Sequence, residues 1–293
     1  MVRPQAVRFL TCFVLAAVLA CSRPSQPTSA TPPAPQRIVS LTPALTETLF
    51  AIGAGDRVVG VTQYCDFPPA AKSKPKVGGY VNPSVEAVIA LTPDLVVVSP
   101  GPGNRDAALA MQRAGLRVEI VPAETLEESI AAIELVARFT GDEPEGRKLA
   151  AAVRARLDAI AKRVASVPRV RTFFSIQTDP IIAAGRDTLP SQLLELAGGT
   201  NVVDIARYPR LDVEAVAAAK PEMILQARMD VSNDKAHDEG AFWQRWPSIP
   251  AVAAGRVVVL PSDLALRPGP RIADAAEELA TILHRDNPGT DAR

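Results

Sequence analysis

Histidine is almost missing from this sequence: of 293 residues, only His237 and His284 carry an imidazole. A three-histidine zinc or manganese site cannot be assembled from two rings, and a Ser-His-Asp triad would have to recruit His237. The patterns G-x-S-x-G, G-x-x-x-x-G-K-[ST] and G-x-G-x-x-G are absent, and "GPGNRD" at 101–106 lacks the lysine and hydroxyl of a phosphate loop. Catalysis therefore starts poorly supplied. A surplus of one charge is missing too, with 32 basic against 32 acidic residues and no basic block that would track phosphates, which argues against nucleic acid as a partner. Only three cysteines occur, Cys12, Cys21 and Cys65, so a disulfide framework does not hold this chain together. No apolar run reaches the roughly 20 residues of a membrane span, since Phe9 to Ala20 is shorter.

That short run has another reading. Arg3 and Arg8 precede it and a small residue follows, which is the layout of an export signal over residues 1–20. "VLACS" resembles a bacterial lipobox, with cleavage before Cys21 and lipid attachment to it; Val18-x-Ala20 also suits ordinary signal peptidase. Either cut exports the mature chain, which is then expected to be extracytoplasmic and, with Cys21 acylated, membrane-anchored. Removal of Arg3 and Arg8 leaves 30 basic against 32 acidic residues. Residues 21–36, "CSRPSQPTSATPPAPQ", have almost nothing to bury and read as a tether.

From Arg37 short β-rich runs at 37–41, 57–62, 95–99 and 117–121 alternate with helical patterns opened by "TP" at 42–43 and "NP" at 82–83. Such alternation implies parallel strands with crossover helices. One long helix then interrupts the rhythm: within 141–167, Leu149, Val153, Leu157, Ile160 and Val164 recur at helical spacing, with acids at the start and Lys162-Arg163 near the end. Strands resume at 172–177, 223–226 and 256–260. Across this helix the chain repeats itself, "VEAVIALTPDLVVV" at 85–98 against "VEAVAAAKPEMILQ" at 213–226. The expected fold is α/β: two Rossmann-like lobes with parallel-type central sheets, 37–140 and 168–285, joined by one long rigid helix at 141–167, with a tail at 286–293.

Two lobes without catalytic apparatus point to a clamp, whose ligand sits beyond the carboxyl ends of the strands. Aromatics make up only 4% of the chain, and all three tyrosines fall on lobe-edge loops: Tyr64 after the second strand, Tyr80 ending "KVGGY", Tyr208 in "IARYPRLD". One such ring alone reads as surface packing; three together suit a large planar or amphipathic ligand. Arg207, Arg210, Arg267 and Arg271 flank the second lobe's loops, where solvated surface is the plain alternative. Asp263, after the last strand, suits a ligand amide or a helix cap. Trp243 and Trp246 are expected to pack their helix on the sheet. Cys65 in "VTQYCDFPP" reads as a small buried filler, with Asp66 and the prolines as turn chemistry. The acids and histidine of "DVSNDKAHDE", 230–239, read as a solvated loop and helix start before they read as a cation site.

"RIVSLTPALTETLFAIGAGDRVVGVTQYCDFPP" followed by "KVGGYVNPSVEAVIALTPDLVVV" resembles the helical-backbone substrate-binding proteins of ABC importers, which carry cobalamin, ferric siderophores or haem. "YCDFPP" and "VGGY…NPSVEAV" look most like the cobalamin-binding members. The resemblance implies a non-catalytic, monomeric receptor without cofactor or resident metal, holding a corrinoid edge-on between aromatic walls and delivering it to an ABC permease dimer. It implies ligand contacts from Tyr64, Tyr80 and Asp263 and permease contacts from Glu86 and Glu214; the place of Tyr208, Arg210 and Arg267 on the second lobe's loops adds them to the expected ligand contacts. Ser99 and the 208–210 segment stand where the best-known relative has tryptophans. A ferric-siderophore or haem receptor, leaning on the arginines, is the alternative.

Overall fold

The computed structural model describes residues 33–101, 103–227, 239–260 and 263–285. The expected signal, Cys21, most of the tether, His237, residues 286–293 and all but Glu239 of the 230–239 segment lie outside them.

Strand β1 (Ile38–Ser40) feeds α1 (Pro43–Ala51); β2 (Val58–Val61), α2 (Pro69–Lys72), α3 (Val85–Ala90), β3 (Leu95–Val98), α4 (Asn104–Arg113) and β4 (Val118–Ile120) follow. These strands form one all-parallel sheet in the order β2-β1-β3-β4. Ile38, Leu95 and Val97 point into one apolar cluster with Leu45, Leu49 and Val136, while Val39, Val96 and Val98 enter another with Val88 and Met111. Burial on both faces is why the β3 run is uninterrupted valine and leucine, without alternation.

Helix α5 (Leu126–Thr140) begins on a reciprocal capping box between Thr125 and Glu128 and ends at Gly141 in the left-handed conformation. Helix α6 (Glu143–Val164) has 22 residues, about 33 Å at ~1.5 Å per residue. It buries Val153, Leu157, Ile160 and Val164, and truncating Leu157 to alanine would cost roughly 2–5 kcal/mol. Gly146 sits where a Cβ would overlap that of Ala137, so α5 and α6 approach closely there. On its polar side α6 is ion-paired to α5 through Arg154 and Glu127, and to the last helix through Arg156–Asp274 and Arg163–Glu277.

The second half contains β5 (Val170–Thr178), β6 (Ile181–Ala183), α7 (Leu189–Leu196), β7 (Gly199–Asn201), α8 (Val213–Ala219), β8 (Met223–Gln226), α9 (Glu239–Gln244), α10 (Pro250–Ala253), β9 (Val257–Val259) and α11 (Ile272–Leu283). The sheet runs β6-β5-β8-β9, with β6 and β7 sharing one edge of β5. Its inner strands again alternate faces: Phe174 and Leu225 pack toward α6 and α11, Phe173 and Ile224 toward Trp243. Trp243 is fully buried edge-on to Phe173, and its Nε1 donates to Gln226 at 3.2 Å, so the tryptophan pair secures α9 to the sheet as expected. One strand departs from the expected parallel pattern. β6 turns back antiparallel through Asp179-Pro180, a two-residue reversal too short for a crossover.

The sequence repeat is reproduced in the structure by matching caps, turns and hydrogen bonds. Helices α3 and α8 are capped by Ser84 and Asp212, which accept from Ala87 N and Ala215 N. Thr92 and Lys220 both adopt positive φ, 43° and 47°, immediately before Pro93 and Pro221. Asp94 then accepts from Arg37 N at 2.9 Å, and Glu222 from Arg171 N at 3.1 Å. The two arginines close the same loop, each donating from Nη2 at 2.7 Å to the end of its helix, Leu91 O or Ala219 O.

Candidate functional site

A cavity of about 490 Å³ opens between the lobes. Thr42, Pro43 and Ala44 after β1, Tyr64 after β2, Ser99 and Pro100 after β3 and Ala123 and Glu124 after β4 bring the carboxyl ends of one sheet to it. The other lobe contributes Leu189 and Pro190 at the start of α7, Tyr208, and Asp263, Leu266, Arg267 and Pro268 beyond β9. Tyr80 and Val81 complete the wall. Five of the six expected ligand contacts thus line one space: Tyr64, Tyr80, Tyr208, Asp263 and Arg267. Tyr64 and Tyr208 are half exposed, so their ring faces are available to a guest.

Tyr208 is presented by residues 205–211, which run along β6 as an extra strand: Ala183 N donates to Pro209 O, Gly185 N to Arg207 O and Leu211 N to Ile181 O. At Gly185 any Cβ would overlap Ile205 O, so glycine is needed for this strand to lie so close. One expected ligand contact stands apart from the other five. Arg210 bridges Ile182 within the ladder and is not among the cavity's lining residues. Arg207, in the left-handed region at φ 64°, instead reaches Glu124 of the facing lobe at 3.3 Å.

Beneath the cavity lies a charge cluster that spans the lobes. Arg267 Nε donates to Asp263 Oδ2 at 2.6 Å, its Nη1 donates to Asp66 Oδ1 at 2.8 Å, and Glu47 Oε1 stands 3.5 Å from Nη1. Arg271 grips Glu47 with both ends, Nε to Oε2 at 2.8 Å and Nη2 to Oε1 at 2.6 Å, while its guanidinium stacks 3.9 Å over Phe67. Glu47 is 3% exposed, so this bidentate partner is what permits a carboxylate inside α1. Burial works against the charge of Arg267, yet hydrogen bonds and attraction from Asp263 and Asp66 outweigh it and hold the guanidinium above its ordinary pKa. Tyr80 and Tyr208 are pushed above 10, first by burial and then by the negative charge of Glu124, with Arg207 opposing at Tyr208. Both phenols therefore stay neutral and can donate a hydrogen bond.

A family model described as periplasmic binding protein matches residues 38–264. The chain belongs to the periplasmic binding protein family. This periplasmic binding protein is 31% identical over 252 residues to a vitamin B12-binding protein of Vibrio cholerae, covering 85% of this chain and 89% of that one. Among solved structures it resembles the periplasmic vitamin B12 binding protein of Vibrio cholerae, with TM-score 0.74, 29% identity, and 87% and 99% of the two chains covered. A periplasmic haem binding protein of Pseudomonas aeruginosa is equally similar, with TM-score 0.76, 28% identity, and 86% and 93% covered. A periplasmic binding protein is a transport component and not an enzyme.

The expected permease contacts, Glu86 and Glu214, occupy matching first turns of α3 and α8. Both are exposed, and neither forms an ion pair among the described residues. Cys65 is buried under the Tyr64 loop, its sulfur within 3.1 Å of Thr46 Oγ1 and 3.2 Å of Thr62 Oγ1. Ser99 lines the cavity with a buried hydroxyl that has no partner among the described residues, and its backbone N–H donates to Thr42 Oγ1. Three acids of this periplasmic binding protein escaped the reading of the sequence as site residues. Asp66 looked like turn chemistry but pairs with Arg267; Glu47 lay inside a helical apolar run; Glu124 sat in the loop before a capping box. The available signals were the lone acid between Leu45 and Leu49, and Glu124's place just beyond a strand's carboxyl end.

Proposed function

We propose that this protein is an exported receptor, lipid-anchored through Cys21, which captures cobalamin or a related corrinoid between its lobes and delivers it to an ABC permease. The observation that carries the reading is the cavity walled by Tyr64, Tyr80 and Tyr208 from both lobes. Flat ring faces with neutral hydroxyls suit a broad macrocycle edged with amides. The similarity to vitamin B12-binding proteins supports the same ligand class. Glu86 and Glu214, equivalent in the two halves, would meet the two permease subunits as a matched pair.

Calorimetric titration of the mature chain tests this: saturable binding of cyanocobalamin below micromolar is expected, together with a red chromophore on protein purified from corrinoid-supplied cells. Absence of corrinoid heat combined with binding of a ferric chelate or haem overturns it. The haem reading is kept as the second because haem binding proteins share the fold at similar identity.

A further inference from the structure

Among the described residues, three charged side chains line the cavity: Glu124, Asp263 and Arg267. The single cation there is already engaged, by Asp263 at 2.6 Å and Asp66 at 2.8 Å. Arg271, behind it, is spent on Glu47, and Arg207, on the rim, faces Glu124 at 3.3 Å. Four carboxylates (Glu47, Asp66, Glu124, Asp263) thus stand against three guanidiniums (Arg207, Arg267, Arg271), and every guanidinium has a carboxylate partner. Among the described residues that line the cavity, an incoming carboxylate would find no unpaired cation. It would have to displace an acid from Arg267 or lie beside Glu124, whose side chain is 55% exposed into the opening. A neutral amide meets the opposite situation, since its N–H groups find carboxylate oxygens and its carbonyl finds the phenol of Tyr80 or Tyr208.

We propose that the cavity selects uncharged, amide-bearing ligands and rejects carboxylate-bearing ones, with Glu124 as the residue that sets this preference. The inference rests on the corrinoid reading for its ligand class, but the charge pattern stands on its own residues. Like charges a few ångströms apart across partly wet space cost about 1.4 kcal/mol, which is about tenfold in affinity.

The test compares cyanocobalamin with its monocarboxylate derivatives, in which one peripheral propionamide is hydrolysed to the acid. On the wild-type mature chain the acids should bind about tenfold more weakly than the parent. Glu124→Gln should bring at least one acid to within about threefold of the parent, because Arg207 is released at the rim as the negative charge is lost. Equal binding of acids and parent by the wild type overturns the inference while leaving the corrinoid reading intact; so does an unchanged ratio in Glu124→Gln. If no corrinoid binds, the corrinoid reading fails and the inference is judged on haemin and its dimethyl ester: preference for the ester upholds it. Preference for the free acid, or binding of neither, sinks it.

Discussion

Arg267 and Asp66, 201 residues apart in the chain, meet at 2.8 Å and tie the loop after β2 to the segment beyond β9. The bond lies at the floor of the cavity, so the residue that looks free to greet a ligand is also a strut between the lobes. Glu47 and Arg271 reinforce it from behind.

Removal of that reinforcement should be felt in stability. Arg271→Ala leaves Glu47 buried with only the 3.5 Å neighbour Arg267, and should lower unfolding free energy by roughly 2–3 kcal/mol in urea titrations. Glu47→Gln removes the charge that needed a partner and should cost less than Arg271→Ala.

The tyrosine walls predict a split among variants. Tyr80→Ala or Tyr208→Ala should weaken ligand binding roughly 10- to 100-fold by calorimetry, the loss of most of one buried aromatic face. Arg210→Ala, in the β6 ladder and outside the lining, should leave affinity within about twofold.

The phenols also fix an alkaline limit. Because Tyr80 and Tyr208 hold their protons more tightly folded than unfolded, the unfolded chain ionises first as pH climbs past about 10. Their contribution to stability is complete below that pH and is lost as pH rises through the folded values. Tyrosinate absorbance should therefore titrate late in the folded protein, and Glu124→Gln should move the titration down toward 10 without removing the part due to burial.

The matched acids of the repeat predict a loss of delivery without a loss of capture. Charge reversal at Glu86 together with Glu214 should abolish uptake in cells while calorimetric affinity stays within about twofold, since both side chains are exposed and absent from the cavity lining. Unchanged uptake would point to a partner other than a permease.

Much of this fold could be read in advance because it repeats local rules. Thr42-Pro43 announced α1, the 3.6-residue spacing of Val153, Leu157, Ile160 and Val164 announced α6, and V-E-A-V with its proline announced both halves. Strands β6 and β7 were invisible, since they form by pairing along the edge of β5, which a local pattern does not announce. The tyrosines could be placed because a loop position beyond a strand is a local property. Asp66, Glu47 and Glu124 could not be assigned, since what they do is decided by partners far away in the chain. Arg210, whose backbone pairs with Ile182 of β6, is not among the lining residues of the cavity.

The burial of Cys65 bears on how the molecule would fare outside the cytoplasm. A lone thiol crossing an oxidising compartment is exposed to mixed-disulfide formation and covalent pairing with other chains. Here the sulfur is enclosed and engaged by two threonine hydroxyls. Once the Tyr64 loop has closed over it, the thiol is out of reach of thiol–disulfide exchange, and the folded chain is self-protected against covalent dimerisation through this residue. The window of chemical vulnerability is then confined to the interval between translocation and folding.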